Sequence, residues 1–73
     1  MVKGLPKSIL DTETTFFKLR VHNGLDNYIY NYFHSYLAAV SAAMALKDLG
    51  ICTSYSVEPA NKEEIPVTDE DYD

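Results

Sequence analysis

His22, His34 and Cys52 are the side chains in this sequence best suited to nucleophilic or metal chemistry, and their number and setting argue against both. One cysteine and two histidines fall one ligand short of a four-coordinate structural zinc site. A nucleophile needs a base held beside it on a rigid element. Neither histidine is accompanied by a cysteine or serine in a recognisable nucleophile setting. His34 stands where a strand pattern gives way to a helix pattern, a position that suits packing or capping. The closing "DEDYD" has closely spaced carboxylates but lacks the glycine and distal glutamate that shape a calcium loop. Gly4, Gly24 and Gly50 are too scattered to cradle a phosphate. The reading is a non-enzymatic chain with no metal and no cofactor.

Two other runs carry binding chemistry. In "TTFFKLRVH" (residues 14–22) and "NYIYNYF" (residues 27–33), large rings and cations fall on alternate positions. If both are strands, Phe16, Lys18 and Arg20, with His22, share an outer face with Tyr28, Tyr30 and Tyr32, while Phe17, Leu19, Val21, Ile29 and Phe33 point inward. Rings interleaved with positive charge can stack unpaired bases while cations hold phosphates. The same rings can anchor a protein partner, since tyrosine and arginine are enriched in binding hot spots. They also suit a half-wet sheet face with no binding role. The net charge is −5, which favours a protein partner and leaves single-stranded nucleic acid as the alternative.

The elements that would position these residues follow from local patterns. Asn23 and Gly24 are a hairpin signal at the end of the first strand, so residues 27–33 are expected to return beside residues 14–22. The period then changes. Residues 35–49 run through alanines and straight-chain side chains from Ser35, a good N-cap, to Gly50, a good C′ residue. "ICTSYSVE" (residues 51–58) alternates again, and Pro59 is expected to close it. The expected fold is α+β: a small β-β-α-β domain over residues 1–57. Its three-stranded antiparallel sheet has the order 2-1-3, with one helix on one face. The rival reading is β-α-β with one long helix over residues 25–49.

The helix shows two apolar stripes where one sheet needs one. Ala39, Ala42, Ala43, Leu46 and Leu49 form the first. Leu37, Val40 and Met44 form the second, which either meets further core, through a segment such as "LPKSIL", or makes a homodimer interface. A chain of 73 residues has a small core, and Cys52 alone cannot make an internal disulfide, so association is the expected source of added stability.

From Glu58 onward seven acidic residues face Lys62 alone, whereas residues 1–57 are near neutral. Residues 58–73 therefore read as an acidic, disordered tail. The opening "MVKGLPKSIL" has no apolar run of signal-peptide length, and no run of about 18 apolar residues occurs anywhere. The expected setting is the cytoplasm, with no membrane partner. Small size, an acidic tail and surfaces without chemistry point to a protein-binding or inhibitory module. Extended-chain backbone chemical shifts over residues 27–33 are expected from the hairpin; helical values there would select the long helix.

Overall fold

The β-branched and aromatic run after Thr15 forms β2 (Phe16–Asn23), which turns directly into β3 (Asp26–Phe33). In the computed structural model, which describes residues 2–68, these strands follow β1 (Leu5–Pro6) and α1 (Lys7–Thr12). After them come α2 (Tyr36–Asp48), β4 (Ser54–Ala60), a short 3₁₀ helix (Lys62–Glu64) and β5 (Val67–Thr68). The fold is α+β. β2 lies at the centre of an antiparallel sheet ordered β3-β2-β4, and β1 pairs with β5 in a separate parallel ladder.

The long helix over residues 25–49 is not formed, because residues 26–33 pair with β2 along their whole length. The turn residues are Gly24 and Leu25, one place later than the Asn-Gly pair suggested. Gly24 has φ 65°, no non-glycine residue among those described has positive φ, and Asn23 faces Asp26. This is the φ pattern of a type II′ turn, which matches the right-handed twist of its strands. Leu25 sits fully exposed at its tip.

α2 begins and ends as its sequence dictates. The Ser35 hydroxyl accepts from the Ala38 amide at 3.3 Å. At the other end the Gly50 and Ile51 amides donate to the Lys47 and Leu46 carbonyls, a Schellman closure. Ala43 and Leu46 are buried against Leu19, Val21 and Cys52, with Phe33, Ala42, Tyr55 and Val57 packed around them, and Ala39 is buried one turn earlier on α2. The small alanines let the helix approach the sheet closely. Leu49, expected in this stripe, lies beyond the last turn and is exposed.

The strand from residue 51 begins later than expected. Residues 51–53 form a connection in which the Thr53 amide donates to the His22 carbonyl, and Cys52 is buried beneath it. Pro59 lies inside β4, opposite Phe17. Because β4 is an edge strand, a residue without an N–H is tolerated where that group would point away from β2.

Two expectations fail for one reason: the sheet is covered on both faces. Phe16 was expected outside, yet it is buried with Leu5, Leu10, Tyr32 and Ile65, and Val2, Ile9, Ile29 and Ala60 pack around this second cluster. "LPKSIL" therefore covers the face opposite α2 and adds nothing to the helix. Residues 58–68, read as tail, supply the end of β4, the 3₁₀ helix and β5, with Ile65 only 5% exposed. Alternating charge and proline hid a single aliphatic anchor. The rest of that acidic segment, residues 69–73, lies outside the described residues.

Leu19 is fully enclosed between α2 and the sheet. Leu19→Ala should lower the unfolding free energy by about 2–5 kcal/mol, measured by denaturant titration. Leu25→Ala at the exposed turn should change it by less than about 0.5 kcal/mol.

Candidate interaction surfaces

The aromatic and cationic positions of the hairpin are distributed by a β-bulge. Phe17 faces Phe33, Lys18 faces Tyr32 and Leu19 faces Asn31, but Arg20 faces Ile29, so Tyr30 is the extra residue on β3. Directly opposed residues share a face. Tyr32 and Ile29 therefore lie with Lys18 and Arg20, whereas Tyr28 lies with Val21 on the α2 side. Simple alternation placed Tyr28, Tyr30 and Tyr32 together outside and Ile29 with Phe33 inside. The bulge breaks both groupings.

The six expected partner-binding residues do not form one open platform. Phe16 is buried and Tyr32 is 8% exposed, both under the N-terminal segment and Ile65. Tyr28 and Tyr30 are exposed, the first on the α2 side and the second at the bulge. Lys18 is engaged by Glu64 at 3.2 Å. The Arg20 Nε donates to Glu58 at 3.3 Å and its Nη1 to Asn27 at 2.9 Å, while the Ser56 hydroxyl donates to the same Glu58 oxygen at 3.2 Å. Both cations are thus matched by carboxylates from the segment that looked like a solvated tail. The signal that could have revealed this was the chemistry of "EEI": a carboxylate able to reach Lys18 immediately precedes an aliphatic able to enter the core.

Glu64 is held below the ordinary carboxylate range, chiefly by the Asn61 amide, which donates to its Oε2 at 2.9 Å, and then by the Lys18 ammonium. The same bond belongs to a capping box that closes the 3₁₀ helix.

The second expected surface lies on α2. Leu37 and Met44 are 75% and 57% exposed, and Val40 between them is half-buried. At about 100° per residue the first two point roughly 130–150° away from the buried stripe of Ala39, Ala43 and Leu46. Tyr36, at the first turn, packs edge-on against Phe17 with ring centroids 5.8 Å apart. A further exposed apolar group, missed in the sequence, stands where the turn meets the end of α2. It comprises Leu25, Leu49 and Ile51, and the Asn23 side-chain amide ties the turn to the Ile51 carbonyl at 3.0 Å.

The polar residues first considered for catalysis are dispersed. His22 lies near the turn and His34 just beyond the far end of β3, about 20 Å of strand apart. His34 approaches Glu13 at 4.0 Å, and Cys52 faces the α2 core. Among the described residues no three His, Cys, Asp or Glu side chains are grouped to hold a metal ion, and no helix is long and apolar enough to cross a membrane.

No protein-family model matches the chain, and neither a curated protein nor a solved structure shows significant similarity to it.

The direction of the Glu64 shift fixes a pH dependence. Its folded-state pKa is lowered, so its contribution is present above the pKa of a free glutamate, about 4.3, and is lost as pH falls through the lower folded value. The Glu64 carboxyl carbon should titrate below a free glutamate in an NMR pH series. Lys18→Met should move that midpoint upward without removing all of the shift, because the Asn61 amide remains.

Proposed function

We propose that this chain is a small, non-enzymatic protein-binding or inhibitory module that self-associates as a homodimer through the outer face of α2 and works in the cytoplasm. The observation that carries the reading is the exposure of Leu37 and Met44 on a helix whose opposite face is already fully used against the sheet. Large side chains aligned at i and i+7, with Val40 between them, make a stripe suited to a second helix. A two-fold pairing of antiparallel α2 helices would bring Leu37 of one copy beside Met44 of the other, with Ser41 leaving room near the axis. Burial of this stripe would add to a core whose size alone gives a small margin of stability.

The separation of His22 from His34 and the burial of Cys52 in the α2 core support the non-enzymatic part of the reading. A free, buried cysteine accords with a reducing compartment. The single-stranded nucleic-acid alternative requires free cations beside exposed rings. The pairing of Lys18 with Glu64 and Arg20 with Glu58, together with the burial of Phe16 and Tyr32, weighs against it.

Light scattering at high micromolar concentration tests self-association. The wild-type chain should have twice the monomer mass, and Leu37→Glu with Met44→Glu should give a folded monomer, since the dimer would bury unpaired charge. A wild-type monomer would remove the dimer reading. Because both side chains are exposed in the single chain, the double variant should retain its far-UV circular dichroism spectrum.

A further inference from the structure

The segment 61–68 holds to the rest of the molecule in the manner of a bound peptide. Of its side chains Ile65 alone is buried, entering the cluster of Leu5, Leu10, Phe16 and Tyr32. Glu64 supplies a carboxylate to Lys18, and Lys62 reaches Asp11 at 3.8 Å across exposed surface. Val67 and Thr68 add a short parallel strand to Leu5 and Pro6, and the Leu5 amide donates to the Pro66 carbonyl at 3.0 Å. Gly4 lets this strand lie close. A Cβ there would collide with the Pro66 carbonyl, and its φ of 87° also suits glycine. One side-chain anchor, one charged contact and strand addition are the recurring parts of peptide recognition.

The beds for this segment belong to other parts of the chain. Lys18, Phe16 and Tyr32 are fixed by the central hairpin, and Gly4 is tied to β3 by the Asn31 side-chain oxygen, which accepts from its amide at 2.9 Å. β4 ends at Ala60, and from Asn61 to Glu64 every side chain is exposed. Local opening can therefore lift residues 61–68 while Leu19, Val21 and α2 keep their packing.

We infer that residues 61–68 occupy, in cis, a docking groove for an acidic peptide segment of a partner protein, in which a glutamate meets Lys18 and a following β-branched aliphatic fills the place of Ile65. Charge complementarity selects that chemistry. The groove presents the Lys18 ammonium beside an apolar cleft, and its present occupant offers Glu64 followed by Ile65. The inference concerns the face opposite α2 and is independent of self-association through Leu37 and Met44.

The test uses the full chain and a fluorescent peptide with the sequence of residues 61–68, Asn-Lys-Glu-Glu-Ile-Pro-Val-Thr, followed by anisotropy. Ile65→Ala weakens the cis occupant, so this variant should bind the peptide about tenfold or more tightly than the wild type, because apparent affinity follows the fraction of open groove. A peptide with lysine in the Glu64 position should lose that binding. Equal binding by both chains, or none by a folded variant, overturns the inference, as does a mass for the variant larger than that of the wild type under the same conditions, which would mean exchange of the segment between copies. Hydrogen exchange of the wild type provides a second measurement that does not depend on the variant folding. The Leu5 amide should exchange about a hundredfold faster than the amides of β2; exchange as slow as β2 would make the segment an integral part of the core and overturn the inference.

Discussion

Pairing on both edges of β2 is the constraint on which the rest of the molecule depends. A strand hydrogen-bonded to β3 on one side and β4 on the other has no backbone left for water, and its side chains leave alternately through two faces. Leu19 and Val21 leave through one face and Phe16 through the other, so both need cover. One helix can serve only one of them. The second face is closed by the two ends of the described chain, α1 with β1 from one side and Ile65 with β5 from the other.

The two covers differ in kind. α2 brings a continuous buried stripe of Ala39, Ala43 and Leu46, capped at both ends, and packs close because its contact residues are small. The opposite cluster is assembled from isolated anchors on short pieces, Leu5, Leu10 and Ile65, held between them by a two-residue ladder and exposed ion pairs. The molecule therefore has one face covered by a single continuous helix and one covered by several short pieces, with β2 shared between them. The helix-covered face is also the one that exposes large apolar groups at Leu37 and Met44.

Charge follows the same division. The acidic character of the chain is concentrated late in the sequence, but Glu58 and Glu64 fold back onto the cations of β2. Surface ion pairs of this sort contribute little to stability. What they do is neutralise Lys18 and Arg20, the two cations that β2 presents on this face.

The hairpin, α2 with its Ser35 and Gly50 limits, and the buried alanine stripe were legible in residue order because each depends on neighbours within a few positions. Turn geometry, capping and helical periodicity are local. The tyrosine faces were not. The two-residue turn sets Asn23 opposite Asp26, while packing beneath α2 sets Phe33 opposite Phe17, and these two registers differ by one residue. A bulge must absorb the difference. Tyr28, Tyr30 and Tyr32 are the same residue in a repeating pattern, so nothing local marks Tyr30 as the one left over. The fate of "KEEIPV" was equally hidden, because an aliphatic residue among charges and prolines is buried only if a cleft awaits it elsewhere. Sequence alone determined the central hairpin and α2 with its limits, because their signals are local. Tertiary structure decided which faces remain open, because burial of Phe16, Tyr32 and Ile65 depends on bringing together segments some fifty residues apart along the chain.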